Sequence, residues 1–120
     1  MSSRAAKLSQ HGVDSLAAGQ SSAAVEAFRE AVATDPTHIE AHHGLIRALC
    51  DSGDFDAAIA AAQILIELTP QDPLAHASLS IALQKAGQIS EAESAAGRAR
   101  ILEWKQQLAE PITKEADSFA

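Results

Sequence analysis

The pattern of apolar and polar positions repeats along the chain every 34 residues. Gly53 lies 34 positions after Gly19 and 34 before Gly87, and a stretch rich in alanine follows each glycine. Pro36 and Pro70, again 34 apart, close the first two of these stretches. Because a regular period of this length is typical of repeat architectures, the sequence predicts three copies of one structural unit. The units are residues 5–38, 39–72 and 73–106.

Each unit has the pattern of two helices around a glycine turn. Apolar residues recur at helical spacing, and no useful length of chain alternates with period two, so strands are not expected. Glycine supplies the permissive backbone that ends a first helix. Asp54 is a predicted N-cap, and Ser90 with Glu93 fits a capping box. Asp72 followed by Pro73 predicts the start of the fifth helix. The predicted fold class is all-α, with six helices.

A helix–turn–helix unit of this length and spacing resembles the tetratricopeptide repeat (TPR) family. The resemblance implies a right-handed α-solenoid of three hairpins, each with a first (A) and a second (B) helix, and with the last helix extended. The large aromatic usual early in the A helix is absent, since Leu8, His42 and His76 stand there. The residues that match the family pattern are Gly12, Gly19, Ala24, Phe28, Ala31 and Pro36, then Leu45, Gly53, Ala58 and Pro70, then Leu79, Gly87, Ala92 and Ala99.

Polar residues replace apolar ones at both ends of the array. Ile59 and Ile66 are expected to pack on the following unit, and Glu93 and Arg100 take their places in the third unit. Because terminal faces of solenoids must be polar for solubility, the sequence predicts a finished three-repeat domain over residues 1–110. At the N-terminal end, polar residues replace the apolar A-helix face that is expected to pack backwards on the preceding unit. That face is Ala41, Leu45 and Ala48 in the second unit and Ala75, Leu79 and Ala82 in the third, and the first unit has Lys7, His11 and Asp14 there.

The last helix differs from the others because Trp104 stands where the first two units have proline. We therefore expect this helix to run to about Glu110, with a flexible tail over residues 111–120. The extension carries an apolar stripe at helical spacing, formed by Ile101, Trp104 and Leu108 and called here the C-terminal stripe. The favoured interpretation is a cap folded against the last A helix. The alternative is self-association, which would make a homodimer.

Composition and charge limit the classes of partner. The 120 residues suit one domain, and sixteen acids against nine bases give a net charge of −7, which argues against nucleic acid. Arg98, Arg100 and Lys105 form a basic group, interpreted as complementing the dipole at a helix end. The apolar run at Ala57–Ala62 is too short to cross a membrane, so no membrane insertion and a cytoplasmic location are expected. Cys50 is alone, which excludes an intrachain disulfide.

The sequence offers little support for catalysis or for a cofactor. It contains no Ser-centred elbow, phosphate loop or cysteine cluster. His38 and His42 have the spacing of a metal pair and His43 lies beside them, but no cysteine is near and no HExxH motif is present. His42 and His76 share one repeat position, which indicates packing. We predict no enzyme activity, no cofactor and no metal, with a histidine-dependent pH response as an alternative.

By resemblance, the concave face of the A helices would bind a peptide or segment of another protein. TPR co-chaperones that hold a C-terminal carboxylate use a clamp of Lys, Asn and Arg, and none of the matching residues here is of those types. Those matching residues are Ser9, Val13, Gly44, Leu74 and Ser78. The candidate binding residues, which make a groove with apolar ends and a polar middle, are Ser9, Val13, Leu16, Glu40, His43, Arg47, Cys50, Leu74, Ala77, Ile81, Gln84 and Lys85. Ala6, Ala17 and Asp51 occupy further positions on the same face.

The sequence thus favours a non-catalytic protein–protein interaction module that holds a partner peptide on its concave face. Two alternatives stay open. One is a self-assembling scaffold that uses the groove or the C-terminal stripe. The other is a small chaperone for a secreted or assembly-prone subunit.

Overall fold

The computed structural model describes residues 3–109, and over that range it consists of six helices with no strand. This confirms the all-α fold class and the helical hairpins. The predicted tail over residues 111–120, together with Glu110, lies outside the described residues. The helices are α1 (Arg4–Ala17), α2 (Ser21–Thr34), α3 (Ile39–Asp51), α4 (Phe55–Leu68), α5 (Pro73–Lys85) and α6 (Ile89–Ala109).

The three glycine turns share one backbone geometry. Gly19, Gly53 and Gly87 have φ values of 76°, 80° and 83°, a left-handed conformation that is costly for any residue with a Cβ. In each turn the amide after the glycine donates to a carbonyl five residues earlier, which closes a Schellman motif on the A helix. These bonds are Gln20 to Ser15 at 2.8 Å, Asp54 to Leu49 at 2.9 Å and Gln88 to Leu83 at 2.9 Å.

Two of the predicted helix starts are confirmed and one is wrong. The Asp54 carboxylate accepts from the amide of Ala57 at 3.4 Å, and that of Asp72 accepts from the amide of Leu74 at 3.0 Å. Ser90, by contrast, lies inside the first turn of α6 rather than before it. The reason is the glycine turn, because every B helix begins two residues after its glycine.

The hairpins stack so that the A helices lie on the inner side of the solenoid. Helix α1 contacts α3, and α3 contacts α5, whereas α2, α4 and α6 do not contact one another over residues 3–109. Since the A helices approach more closely than the B helices, the array curves with the A helices on its concave face.

Small apolar residues form most of the core between the units. Ile59 of the second unit packs against Leu83, Ala92 and Ala95 of the third, as predicted from the repeat. The A-helix faces predicted to pack backwards are buried, and their alanines let neighbouring helices approach closely. The buried members of that set are Ala41, Leu45, Ala48, Ala75 and Ala82.

His42 and His76 fill the repeat position that the family usually gives to a large aromatic. Both rings are buried. The Nε2 of His42 donates to the carbonyl of Pro36 at 2.7 Å, and that of His76 donates to the carbonyl of Pro70 at 2.9 Å. Each ring therefore ties an A helix to the end of the preceding B helix, which confirms the packing role.

The C-terminal stripe does not form the cap that the sequence favours. Ile101, Trp104 and Leu108 are 52%, 62% and 68% exposed. At about 100° per residue the stripe lies on the side of α6 opposite to its buried residues. The prediction failed because buried alanines, rather than the larger apolar residues of the stripe, set the rotation of α6 against α5. The buried residues of α6 are Ala92, Ala95 and Ala99.

The predicted dipole role of Arg98, Arg100 and Lys105 is also wrong. Helix α6 continues to Ala109, and its last turn contains no basic residue. The favourable interaction with a helix dipole falls off within the last turn, so these cations need another explanation.

None of the helices over residues 3–109 combines the length and the apolar character needed to span a bilayer.

Candidate interaction groove

The concave face carries two neighbouring cavities. The first lies between α1 and α3 and has a volume of about 520 Å³. The second lies between α3 and α5 and has a volume of about 390 Å³. His43 and Arg47 of α3 line both cavities. The two cavities therefore form one groove, called here the A-helix groove, that crosses all three A helices.

The ring of Phe28, which reaches inward from α2, lies beneath the first cavity. Phe28 is fully buried. A Cβ placed on Gly12 would lie 2.7 Å from the Phe28 Cζ atom, and one placed on Gly44 would overlap the same ring. Two glycines on facing A helices thus make room for one aromatic ring. The other residues around this cavity are Val13, Leu16, Ala17, Glu40, His43 and Arg47.

Polar or ionisable side chains are more numerous around the second cavity, six of eight residues against three of eight around the first. Burial raises the pKa of the Cys50 thiol; the nearby Asp51 carboxylate acts in the same direction and the Lys85 ammonium opposes it. The thiol therefore stays protonated near neutral pH, which is not the state of a nucleophilic cysteine. The residues around this cavity are His43, Ile46, Arg47, Cys50, Asp51, Ser78, Ile81 and Lys85.

His43 lies where the two cavities meet. Its Nδ1 is 3.2 Å from the hydroxyl oxygen of Ser78, and this hydrogen bond joins α3 to α5. Partial burial lowers the pKa of His43, with Asp72 opposing that shift and His42 adding to it. The ring is therefore neutral near pH 7 and offers a partner a polar surface without a charge.

Arg47 and Lys85 bring two cations to the groove. Within the described part of the chain the one ion pair joins Arg4 to Glu30 on the surface, with a nitrogen–oxygen distance of 2.9 Å. Neither groove cation is therefore neutralised by a described carboxylate. Glu40 and Asp51 supply two acids along the same groove, so its walls are charged but balanced.

The structure brings most of the predicted binding residues together, but not all of them. Ser9 is buried, and it lines neither cavity. Ala77, Leu74 and Gln84 also line neither cavity, although Leu74 and Gln84 are exposed. The predicted binding residues that line the groove are Val13, Leu16, Glu40, His43, Arg47, Cys50, Ile81 and Lys85.

Sequence reasoning missed four lining residues: Phe28, Gly44, Ile46 and Ser78. Phe28 matches the family pattern but is not among the candidate binding residues; it fills the core, and its ring also lies beneath the first cavity. The available signal was the pair of glycines in the A helices, because glycine inside a helix often marks the close approach of another group.

No group of three or more His, Cys, Asp or Glu side chains that could hold a metal ion occurs within residues 3–109.

Comparisons with known proteins come from a family model and from solved structures. The family model described as "Tetratricopeptide repeat" matches residues 15–80. No curated protein sequence matches. The crystal structure of MamA is similar with a TM-score of 0.79 and 24% identity, covering 86% of this chain and 60% of MamA. This chain therefore spans about three fifths of the length of that MamA chain.

Two further solved structures contain a bound partner. The second TPR of Spaghetti (RPAP3), bound to the HSP90 peptide SRMEEVD, has a TM-score of 0.75 and 18% identity, covering 82% of this chain and 92% of that one. The CopN-Scc3 complex gives a TM-score of 0.75 and 22% identity, covering 98% of this chain and 68% of that one. At these identities the likeness shows a shared fold.

Proposed function

The chain belongs to the tetratricopeptide repeat family, and on that basis we propose that it is a non-catalytic module that holds a segment of a partner protein in the A-helix groove. The observation that carries this proposal is the continuity of the groove. Two cavities share His43 and Arg47 and so offer successive pockets along one line. A line of pockets suits an extended or helical segment with several anchoring side chains.

The two ends of the groove favour different parts of such a segment. Over Phe28, the first cavity presents Val13 and Leu16, which suit an apolar side chain. At the other end, Lys85 suits a carbonyl or carboxylate oxygen. Arg47 lies between them and lines both cavities. Arginine is frequent at binding hot spots because it combines a planar stacking surface with several donors.

The related TPR domain of Spaghetti binds an HSP90 peptide, which supports segment binding by this fold. That peptide is not expected to bind this chain. A C-terminal carboxylate needs charged or amide donors at the clamp positions, and here those positions carry small or apolar side chains. We infer a partner recognised by apolar contacts and by Arg47. Because the groove charges are few and balanced, affinity should fall only modestly with salt.

The test compares a groove variant with an outer-surface variant. Peptides selected from a random library on the intact protein are titrated against wild type and against Arg47→Ala combined with Leu16→Ser. Two truncations at hot spots of about 1–2 kcal/mol each should weaken binding at least about tenfold. Circular dichroism should show unchanged helical content, because Arg47 is exposed and Leu16 only half-buried.

The matched control is Glu26→Ala combined with Glu30→Ala on the exposed side of α2. This variant loses the surface ion pair to Arg4, which is worth little, and it should bind like wild type. If the outer pair removed binding while the groove pair kept it, the partner would lie on the convex side and the proposal would be wrong.

A further inference from the structure

The C-terminal stripe faces away from the solenoid and is independent of the A-helix groove. Its three side chains are more than half exposed. At about 100° per residue they lie within an arc of about 60°. Their spacing of three and four residues is that of the a and d positions of a heptad, which form the narrow seam of a helix pair. In this register Ile101 and Leu108 are a positions, and Trp104 is a d position.

Cations flank the stripe on both sides. On the helix, Arg100 lies about 70° from the middle of the stripe on one side, and Lys105 about 70° on the other. Arg98 lies on the same side as Lys105, whereas Glu103 lies about 130° away. None of the three cations forms an ion pair with a residue in the described range. An overall acidic protein of net charge −7 therefore presents a basic, apolar edge here.

This charge arrangement argues against a second copy docking on the same stripe. In a parallel helix pair the g position meets the following e position of the partner, so Arg100 would face Lys105. In an antiparallel pair, e positions meet e positions, so Arg98 and Lys105 would face the same two cations of the other copy. Like charges at these positions destabilise the pair in either direction.

A membrane surface is also a poor match. Helices that lie in a bilayer interface have a broad apolar face, whereas this stripe is three side chains long and one side chain wide. An anionic leaflet would attract the local cations but repel the acidic protein as a whole.

We propose that the C-terminal stripe is a docking site for an acidic amphipathic helix of a partner protein. The partner helix would lay its apolar side along Ile101, Trp104 and Leu108, and would set its carboxylates beside Arg100 and Lys105. Charge complementarity selects this partner, because carboxylates at the flanking positions pair with cations that have no described partner of their own.

Trp104 makes the test direct. It is the single tryptophan of the chain and there is no tyrosine, so intrinsic tryptophan emission reports on the stripe alone. The full chain is titrated at low salt with a synthetic helical peptide that has leucine at a and d and glutamate at e and g. A matched peptide has lysine at e and g. The glutamate peptide should shift Trp104 emission to the blue and bind at least about tenfold more tightly, with an advantage that shrinks in high salt.

Variants of the protein distinguish charge recognition from non-specific apolar binding. Arg100→Glu combined with Lys105→Glu should reverse the preference between the two peptides. Arg29→Glu removes an exposed cation on α2 and should leave the preference unchanged. Trp104→Ser should abolish binding of a fluorescently labelled glutamate peptide, measured by anisotropy, without loss of helical content.

Four results would overturn the proposal. The first is equal affinity for the two peptides, and the second is binding that survives Trp104→Ser. The third is a dimer of the unliganded chain in sedimentation equilibrium that Trp104→Ser abolishes, which would assign the stripe to a second copy. The fourth is a blue shift of Trp104 on vesicles containing phosphatidylserine, which would assign it to a membrane. The groove variant Arg47→Ala with Leu16→Ser should bind the glutamate peptide normally.

Discussion

The two halves of the A-helix groove are built from equivalent repeat positions but packed in opposite ways. In the first half, Phe28 of a B helix fills the space between the units, and Gly12 and Gly44 of the A helices leave room for its ring. In the second half, the B helix contributes a small residue and the A helices supply the volume. The residues at those positions, 34 further along, are Ala62, Ile46 and Ser78.

This difference shows that the junction between units is specified by a sum of volumes rather than by each position alone. Protein interiors are packed to a nearly constant density, so a large residue at one position requires small ones opposite. A repeat can therefore keep its period and its fold while it moves bulk from one helix to the other.

The exchange also changes the chemistry of the groove. The buried ring between two glycines lies beneath the first cavity, whose accessible walls include Val13 and Leu16. In the second half Ser78 takes the place of one glycine, and its hydroxyl can bond to His43. One half therefore suits an apolar anchor, and the other offers polar contacts.

Removal of the Phe28 ring should have the largest effect on the first half. Phe28 is fully buried, and such a Phe→Ala change typically lowers the free energy of unfolding by about 3–5 kcal/mol. A small domain has about 5–15 kcal/mol in total, so Phe28→Ala should be marginally stable in urea denaturation. The control is Phe55→Ala, since Phe55 is only half-buried and its truncation should cost clearly less. If the two variants lost the same free energy of unfolding, the Phe28 ring would not be the main packing element of the first half.

A methyl group at Gly44 should have an intermediate effect. Gly→Ala inside a helix normally stabilises by up to about 1 kcal/mol, but here the new Cβ would overlap the Phe28 ring. We expect a net destabilisation of about 1–3 kcal/mol. Ser78→Ala, at the same position of the second half, loses one hydrogen bond worth about 1 kcal/mol and should be milder.

A double variant sharpens the Gly44 result. If overlap with the ring causes the destabilisation by Gly44→Ala, Phe28→Leu should lower the free energy of unfolding less in the Gly44→Ala background than in wild type. The difference is a measurable coupling energy. A Gly44→Ala protein that is more stable than wild type would show that the ring has room to move.

The smallest effect should be the pH dependence of stability that His43 produces. Burial lowers the pKa of His43 in the folded protein, whereas the unfolded chain titrates near its ordinary value of about 6.5. As the pH falls through that value, the unfolded state binds the proton more readily, and the folded state loses stability. The urea midpoint of wild type should therefore decrease from about pH 7.5 to about pH 5.5, and it should decrease less in His43→Gln.

His11→Gln serves as the control for that titration, because His11 is exposed on α1. It should leave the pH dependence of wild type unchanged. An identical pH dependence in His43→Gln and wild type would mean that burial at the junction of the two cavities has no effect on the histidine.

The sequence by itself determined the repeat period, the six helices, the glycine turns and the faces that pack between units. These features depend on local backbone preferences and on helical spacing, which act within a few residues. Gly19, Gly53 and Gly87 adopt the left-handed backbone that each turn requires, and glycine allows that backbone whatever the rest of the chain does. The positions of Val13, Arg47 and Ile81 on the A-helix groove follow from the same period.

Only the tertiary structure decided how residues from different helices meet. The Phe28 ring lies beneath a cavity because two glycines on other helices face it, and His43 contacts Ser78 because α3 lies beside α5. The C-terminal stripe is apolar in sequence, but the direction it faces depends on the rotation of α6. Small buried residues such as Ala95 set that rotation by letting α6 approach α5 closely, and the larger side chains of Ile101 and Trp104 were turned outward as a result.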